Sequence, residues 1–387
     1  MNELILDKAK DLESYIIDKR RDFHKHPELR FEEIRTSGIV KKELKRLGYK
    51  IIETAETGVI GVLNGEKAGE TVALRADMDA LAIQEENEVP YRSKVDGKMH
   101  ACGHDAHTAM LLGAAKILKD LKNELDGTVK LVFQPAEEGG AGAKKMLEEM
   151  KLGDVDAIFG IHVWSNLPSG TIGTRKGPFM ASSDGFLITI KGDGGHAAYP
   201  HMTNDPSVPV VDIYNALQKI ITRNVDPLSH AVISTPKLKG SEAYNVIPDK
   251  VELEGTFRTF DTKVRDKIIE RIKTISKHYS EAWECKSEVK IFRIPYPPTV
   301  NDEKMTEFAI DVGKKMFEVK EVEKQMGGED FSFFLQKYPG CMLELGTGDE
   351  KKGTTFPHHH PKFDIDESIL FKGTALYALL AYEFLLK

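Results

Sequence analysis

Short and nearly continuous apolar runs alternate with longer helical patterns through the first half of the chain, and this alternation restricts the possible folds more than any other feature. Residues 71–74, 129–133 and 157–161 form such runs. Continuous apolar character is typical of strands that are covered on both faces. Alternation of strands with helices indicates a layered α/β domain. We therefore predict an α/β fold in which helices flank a central sheet.

The order of elements changes in the middle of the chain. From about residue 183 the pattern runs strand, helix, strand, strand, helix, strand, over residues 186–190, 205–223, 231–238, 251–258, 262–282 and 288–292. This is the split βαβ order of ferredoxin-like domains. A length of 387 residues also exceeds the usual size of one hydrophobic core. We predict an α/β domain over residues 1–180 and 294–387, interrupted by a ferredoxin-like α+β domain over residues 181–293.

Charge and cysteine usage argue against several classes of protein. The formal net charge is −7, and the 54 Lys and Arg residues are interspersed with 61 Asp and Glu residues. Because no long basic face results, nucleic acid is not an expected partner. The cysteines are Cys102, Cys285 and Cys341, which lie far apart. Such sparse cysteines do not resemble the disulfide framework of a small secreted domain, so we expect a reducing, cytoplasmic location.

Neither end of the chain predicts an export signal or a membrane span. Residues 1–23 carry charges throughout and lack the apolar segment of a signal peptide. The most apolar stretch, residues 369–386, contains Lys372 and Glu383, whereas a membrane span needs about 20 residues almost without charge. We therefore expect a buried helix there and no membrane partner.

Polar clusters follow three of the predicted strands at the point where each strand ends. These clusters are residues 75–79, 134–138 and 162–164. In open α/β sheets, ligands bind beyond the carboxyl ends of the strands. The clusters are therefore expected to contribute to one site.

A fourth cluster, residues 99–107, precedes an apolar helix. Asp105 is a plausible N-cap, which places Cys102 and His104 in the loop before the helix. Thiolate and imidazole two residues apart can project to the same side of a loop, and both are good zinc ligands. The pair alone also fits a buried structural cysteine, so the motif leaves both interpretations open.

Glu137 and Glu138 could divide two tasks between them. Adjacent side chains in an extended segment point to opposite sides, so one can bind a metal while the other meets water. Zinc lowers the pKa of its water to about 7, and a nearby carboxylate can take the proton and pass it to the leaving amine. A solvated carboxylate pair is the alternative. Similarly, His162 could be a hydrogen-bonded core histidine, and the histidines at 358–360 could belong to a surface loop.

Taken in order along nearly the whole chain, these clusters resemble metallopeptidase family M20, in particular its amidohydrolases with a Cys-Gly-His motif. The first helix ends in a looser match, His-Lys-His-Pro-Glu at residues 24–28. The specific matches are residues 74–81, 99–107, 133–140, 160–162, 194–201, 245–248, 328–331 and 359–361. The resemblance implies a zinc-peptidase-like catalytic domain with a mixed sheet, and an inserted lid that also forms a homodimer or a higher homo-oligomer.

The resemblance also implies roles for individual residues of the metal site. The implied ligands are Cys102, His104, Glu138, His162 and His359, of which His359 stands two positions before Pro361, with His360 as the alternative. Glu137 is implied as general base and acid, and Asp79 as the carboxylate that orients the site. The ligand set suits one or two Zn²⁺ ions, although Mn²⁺, Co²⁺ and Ni²⁺ remain open.

In the lid, the resemblance assigns His196 to stabilisation of the oxyanion, often in the site of the partner subunit. Asn245 and Arg258 are implied to bind the carboxylate of the substrate, although Arg258 could instead be a solvated charge on a sheet face. The expected reaction is hydrolysis of an amide bond next to a free carboxylate, in an N-acyl-amino acid or at the C-terminus of a short or N-blocked peptide. The alternatives are an N-acetyl-diaminopimelate deacetylase and a relative that binds metal and a carboxylate without catalysis.

Overall fold

The computed structural model describes residues 1–386, and the side chains of all of these except residues 293–295. The helices are α1 (Asn2–Asp11), α2 (Glu13–Lys25), α3 (Ile34–Arg46), α4 (His104–Asp120), α5 (Glu137–Gly140), α6 (Gly142–Glu148), α7 (Ser207–Asn224), α8 (Thr262–Ala282), α9 (Glu303–Gly313), α10 (Phe331–Leu335) and α11 (Leu370–Leu385). Short 3₁₀ turns occupy Lys122–Glu124, Pro200–Met202, Glu350–Lys352 and Glu367–Ile369.

The strands complete the list of elements. They are β1 (Lys50–Thr54), β2 (Gly58–Asn64), β3 (Lys67–Asp77), β4 (Asp126–Gln134), β5 (Ala157–Pro168), β6 (Thr171–Thr174), β7 (Gly177–Met180), β8 (Ser183–Lys191), β9 (Gly195–His196), β10 (Ala231–Lys239), β11 (Val246–Ile247), β12 (Lys250–Thr259), β13 (Lys286–Tyr296), β14 (Thr299–Asn301), β15 (Glu318–Glu321) and β16 (Gly340–Gly348).

The chain forms two compact units whose boundaries differ from the expected ones. Unit 1 comprises Met1–Gly177, Val300–Glu323 and the chain from Asp330 onwards, and unit 2 comprises Pro178–Thr299 and Lys324–Glu329. The return to unit 1 comes after residue 293 because β13 continues to Tyr296. The segment Lys324–Glu329 was expected in the α/β domain, but it joins unit 2, where Gln325 donates its backbone N–H to Phe179. Lys387, the last residue of the expected second part, lies outside the described residues.

Unit 1 is built on an eight-stranded sheet, with the order β1-β2-β4-β3-β5-β16-β6-β15. The central strands β4, β3, β5 and β16 are parallel to their neighbours in this series, whereas β1 with β2, β2 with β4, and β16 with β6 are antiparallel. Helices α4 and α11 lie almost wholly within the core. The predicted mixed sheet flanked by helices is thus confirmed.

Helix α11 corresponds to the most apolar stretch of the sequence. One segment of the described residues, Glu367–Leu385, is long and apolar enough to cross a membrane, but 78% of it is buried inside the protein. Its side chains pack against α4, where Gly113 approaches Thr374 so closely that a Cβ would lie 2.8 Å from the threonine methyl group. The prediction of a buried helix at this position is confirmed.

Unit 2 has its own sheet and its own core. The sheet order is β10-β12-β8-β13, all antiparallel, and the chain order is β8, α7, β10, β12, α8, β13. Apolar side chains of α7 and α8 pack on one face of this sheet, including Ile213, Leu217, Ile268 and Ile272. Both the order and the layering are those of a ferredoxin-like domain.

The register of the parallel strands brings the polar clusters of unit 1 to one edge of its sheet. Asp77, at the end of β3, pairs with Gln134, at the end of β4. Arg75 of β3 pairs with Gly160 of β5, which places His162 two residues further along β5. Because neighbouring parallel strands point the same way, side chains that follow their carboxyl ends lie close together.

Candidate metal centre

A glycine sets the geometry of the loop that carries Cys102 and His104. Gly103 has a φ of 85°, and a Cβ at this position would lie 2.2 Å from Cγ2 of Val163. Only glycine fits this combination of positive φ and close approach. Helix α4 begins directly after it, at His104. The prediction that Asp105 is the N-cap is therefore wrong, because Asp105 is already the second residue of the helix.

Asp105 instead anchors the start of α4 through a buried ionic network. Its Oδ2 atom accepts hydrogen bonds from Nε of Arg20 at 2.9 Å and from Nδ1 of His24 at 2.7 Å. His24 also lies 3.2 Å from Oε1 of Glu85 through its Nε2 atom. Burial opposes the charged imidazole, but Asp105 and Glu85 outweigh it and raise the pKa of His24. The network fixes the helix that begins with His104.

Glu137 and Glu138 occupy a tight turn after β4, and the expected extended segment is absent from this part of the described chain. Ala136 is left-handed, with φ 55° and ψ 42°, and Glu138 has φ −69° and ψ 69°. The carboxylate of Asp79 accepts the backbone N–H of Glu137 through Oδ1 and that of Glu138 through Oδ2, both at 2.9 Å. Glu33 accepts the N–H of Ala136 at 2.9 Å. Three successive backbone donors are thus held by two buried carboxyl groups.

The structure brings the five residues expected as ligands together with Glu137. Potential ligand atoms lie within 4.8 Å of one another in three overlapping groups, namely Cys102 with His104 and His162, Cys102 with Glu138 and His359, and His104 with Glu137 and Glu138. The Sγ atom of Cys102 is 3.5 Å from Nε2 of His162. The Nε2 atom of His359 is 3.1 Å from Oε1 of Glu138.

The three consecutive histidines have different surroundings. His358 is turned inward, and its Nε2 atom donates to the carbonyl of Val163 at 2.9 Å. His360 stacks on Phe356 with ring centroids 4.7 Å apart, and its Nδ1 atom accepts the N–H of Lys362. Only His359 of the three joins Glu138 and Cys102 in the groups of potential ligands found among the described residues.

The electrostatics of this cluster fit a bound cation. Burial, with the carboxylates of Glu138 and Glu137, raises the pKa of the Cys102 thiol well above its usual value. Burial alone would lower the pKa of His104, but Asp77 and Asp79 raise it to about 10. Nδ1 of His104 lies 3.3 Å from Oδ1 of Asp79 and Nε2 lies 3.7 Å from Oδ2 of Asp77, but neither ring nitrogen has a hydrogen-bond partner of good geometry among the described residues. Thiolate, imidazole and carboxylate are the donors that Zn²⁺ prefers, and a divalent ion would offset the negative charge gathered here.

Behind the ligands, the carboxylate of Asp77 contacts the imidazoles of His104 and His107, both of which belong to the motif at residues 99–107. Its carboxylate lies 2.6 Å from Nη1 of Arg75, 2.5 Å from Nδ1 of His107 and 3.7 Å from Nε2 of His104. The backbone N–H of Val163 donates to Nε2 of His107 at 2.8 Å, so the proton of this imidazole is on Nδ1. His107 therefore connects the end of β3 to Val163, the residue after His162. Burial lowers the pKa of His107, in agreement with a neutral ring.

Glu137 is buried beside the start of α10. Its Oε1 atom accepts the backbone N–H of Asp330 at 3.3 Å. The carboxylate of Asp330 in turn accepts hydrogen bonds from Arg75 and Gln134. The sequence motif around residue 330 therefore supports the turn that carries Glu137.

In unit 2, the structure brings together two of the three residues expected in the lid. The short strands β9 and β11 pair His196 with Val246, and the N–H of Ala197 donates to the carbonyl of Asn245, so His196 and Asn245 line one cavity of about 550 Å³. Arg258 lines a different cavity of about 340 Å³, where its Nη1 atom donates to Oγ1 of Thr256 at 2.6 Å.

Comparison with known proteins agrees with this arrangement of motifs. The model of peptidase family M20/M25/M40 matches residues 73–383. Thermostable carboxypeptidase 2 of Saccharolobus solfataricus is 43% identical over 99% of this chain and 98% of its own length. The N-acetyl-L-cysteine deacetylase of Bacillus subtilis is 43% identical over 94% of this chain and 86% of its own length.

A solved structure extends the similarity to three dimensions. The Bacillus subtilis YXEP protein, a dinuclear metal binding peptidase from the M20 family, has a TM-score of 0.85 and 38% identity, covering 97% of this chain and 99% of that chain. The family match spans most of the sequence, and the two relatives cover 99% and 94% of this chain. The predicted family is thereby confirmed: this chain belongs to peptidase family M20/M25/M40, and within it to the metal-dependent amidohydrolases.

Proposed function

We propose that the protein hydrolyses the amide bond next to a free carboxylate, in N-acyl-amino acids or at the C-terminus of short or N-blocked peptides. The observation that carries the proposal is the gathering of Cys102, His104, Glu138, His162 and His359 in overlapping groups of potential ligand atoms, one of which includes Glu137. The relatives named as a carboxypeptidase and as a deacetylase of an N-acetyl-amino acid support the same class of bond.

The five clustered side chains are the proposed metal ligands, with His359 as the last of them. A bound Zn²⁺ would supply a Lewis acid that polarises the scissile carbonyl and lowers the pKa of water. Two ions are supported by the overlap of the potential ligand groups, which share Cys102, His104 and Glu138, and by the dinuclear relative. We propose Zn²⁺ before Mn²⁺, Co²⁺ or Ni²⁺ because the set includes a thiolate.

Glu137 is the proposed general base and acid. It takes a proton from the water as the carbon–oxygen bond forms and the carbonyl oxygen becomes an oxyanion. It then gives the proton to the amide nitrogen, and the carbon–nitrogen bond breaks as the carbonyl group is restored and the amine leaves. Asp79 orients this step by holding the N–H groups of both Glu137 and Glu138. The non-catalytic alternative is disfavoured because a relative without activity has no need for a buried carboxylate in this position.

Unit 2 is the proposed lid. His196 would stabilise the oxyanion, and Asn245 and Arg258 would bind the carboxylate of the substrate, for which a guanidinium group is well suited. Unit 2 also exposes apolar side chains, among them Val211 and Tyr214 on α7 and Leu238 on the edge strand β10. An exposed edge strand beside apolar residues favours pairing with a second copy, and we therefore propose a homodimer through unit 2.

The three cysteines are free in the structure, which supports a reducing, cytoplasmic location as part of the proposal. The test of function is a substrate panel of N-acetyl-amino acids, N-acetyl-diaminopimelate, benzoylglycine and benzyloxycarbonyl dipeptides, assayed on protein whose metal content is measured in the same sample. We expect hydrolysis of at least one class in proportion to bound metal. Metal-loaded protein that cleaves none of these compounds would contradict the proposed function.

A further inference from the structure

A buried carboxyl group lies beside the turn of Glu137 and Glu138 and has no part in the proposed chemistry. Glu33, the residue before α3, is fully buried. Its Oε1 atom accepts the N–H of Ala136 at 2.9 Å, and its Oε2 atom accepts the hydroxyl of Thr57 at 2.5 Å. Both donors are neutral, and among the described residues no cation forms an ion pair with this carboxyl group. Burial and the neighbouring Asp79 raise the pKa of Glu33 to about 7.

An acid is an unfavourable choice for this position if packing alone is needed. Burial of a carboxyl group without a cationic partner costs free energy, and Asp79 nearby adds repulsion. A buried acid that is retained under these conditions points to a role in the adjacent site. The hydrogen bonds of Glu33 indicate this role, because its carboxyl group accepts the N–H of Ala136, the first of the three backbone donors in the turn.

The turn needs such support because its backbone is unfavourable on its own. Ala136 is left-handed although it carries a Cβ, and Gly139 follows with a φ of 79°. Residues in sparsely populated regions persist only when their surroundings hold them there. Asp79 holds the N–H groups of residues 137 and 138, so the N–H of residue 136 depends on Glu33.

Glu33 also ties the turn to two other elements of unit 1. Thr57 lies in the turn between β1 and β2, where Ala55 and Glu56 have φ values of 46° and 66°. The next residue, Gly58, approaches Pro135 so closely that a Cβ would lie 3.1 Å from Cδ of the proline. Glu33 therefore connects the start of α3 and the β1–β2 turn to Ala136, the residue directly before Glu137.

We propose that Glu33 is a positioning residue that fixes Glu137 and Glu138 through the backbone of Ala136. The glutamate side chain is long enough to bring its acceptor oxygen to the N–H of Ala136, and it does not touch the substrate. Its effect on turnover rests on the function proposed for Glu137.

The test compares Glu33→Gln with Glu33→Asp. Glutamine keeps an oxygen for Ala136 and places an amide donor beside the hydroxyl oxygen of Thr57, whereas aspartate keeps the charge but withdraws the acceptor by about 1.5 Å. We expect Glu33→Gln to keep kcat within about threefold of the unsubstituted protein, and Glu33→Asp to lower kcat about 10- to 100-fold with little change in KM, the usual effect of a displaced catalytic group.

A second measurement does not depend on activity. In the metal-free protein, amide hydrogen exchange in the peptide that covers residues 136–140 should be faster by on the order of tenfold in Glu33→Asp, as expected for one lost hydrogen bond, and unchanged in Glu33→Gln. Val40→Ala is the matched control, because Val40 is buried in α3, the helix that follows Glu33, and is not bonded to the turn. It should lower stability without changing kcat or exchange in this peptide.

The reverse order, with aspartate active and glutamine impaired, would overturn the proposal and assign the effect to charge. If Glu33→Asp and Val40→Ala have the same melting temperature and lose the same factor in kcat, Glu33 contributes only to packing. If the unsubstituted protein hydrolyses nothing in the panel, the proposed function fails, and the exchange measurement alone still decides the role of Glu33 in the turn.

Discussion

Glu137 and Glu138 are adjacent in the chain but have different neighbours. Glu137 accepts the backbone N–H of Asp330, whereas Glu138 lies 3.1 Å from the imidazole of His359. If the two carboxylates divide the roles of base and ligand, their amide variants must fail in different ways. We predict that Glu137→Gln lowers kcat by about 10²- to 10⁴-fold, because a general base is lost, and leaves metal content unchanged.

Glu138→Gln provides the comparison. It should reduce metal affinity first, and its activity should recover when the metal concentration is raised. Elemental analysis of both variants beside steady-state kinetics separates the two effects. A Glu137→Gln protein that turns over at more than a tenth of the original rate would remove Glu137 from its proposed role.

Glu344 is a second buried acid, on β16, where it pairs with His162 of β5 and has no assigned part in the proposed mechanism. Its carboxyl group lies over Gly173, and within the described chain neither oxygen has a hydrogen-bond partner. Burial raises its pKa to about 8. Between about pH 4.5 and pH 8 the folded protein therefore keeps a proton on Glu344 that the unfolded chain releases, so the contribution of Glu344 to stability falls as pH rises through this window and is constant on either side.

We predict that Glu344→Gln removes this dependence. The free energy of unfolding of the variant, relative to the unsubstituted protein, should rise by about 2–5 kcal/mol between pH 4.5 and pH 9. Denaturant unfolding of both metal-free proteins at matched pH gives this difference, because other titrating groups cancel. A difference that stays constant with pH would show that Glu344 is ionised in the folded state.

At the scale of helices and strands, the sequence predicted the central strands β3, β4 and β5, the order of elements in unit 2 and the gathering of polar clusters, since parallel strands bring their carboxyl ends to one edge. It did not predict the local geometry between them. The helix starts at His104 because Gly103 packs against Val163, which is 60 residues away in the chain. Glu33 lies outside the motifs, and the motif at residues 99–107 contains His107 without indicating its role, because each acts through a contact with a distant element, Ala136 or Val163.

His107 shows what such a contact between elements does. It donates to Asp77 at the end of β3 and accepts the N–H of Val163 in β5. Asparagine at this position can retain the donor to Asp77, and glutamine can retain the acceptor for Val163. We predict that His107→Asn lowers metal affinity about 10- to 100-fold, the usual effect of losing a residue that orients a ligand, because the strand that carries His162 is released.

His107→Gln should keep metal affinity within about threefold, since Asp77 still pairs with Arg75 at 2.6 Å. Competition with a chromophoric chelator measures both affinities. Thr108→Val is the control in the same helix, because it removes a hydrogen bond to the backbone of Asp77 and leaves Val163 untouched. Equal affinities in the asparagine and glutamine variants would mean that the bond to Val163 does not orient His162.

For the whole molecule, the separation into two units predicts where metal removal acts. All five proposed ligands belong to unit 1, and the cores of the two units are separate clusters of apolar side chains. A ligand at a thousand times its Kd stabilises the folded state by about 4 kcal/mol, so chelation should lower the melting temperature of unit 1 by several degrees. The melting temperature of unit 2 should not change, because unit 2 contributes no proposed ligand.

Hydrogen exchange with and without chelator resolves the two units, for example through peptides from α4 and from α8. Loss of protection should appear in α4, and protection in α8 should remain. In Cys102→Ser the difference between the two conditions should shrink in α4, because the thiolate that holds the metal is missing while the fold of unit 2 is unchanged. Equal loss of protection in α4 and α8 on chelation would contradict a metal site confined to unit 1, and no loss in either would contradict a bound metal.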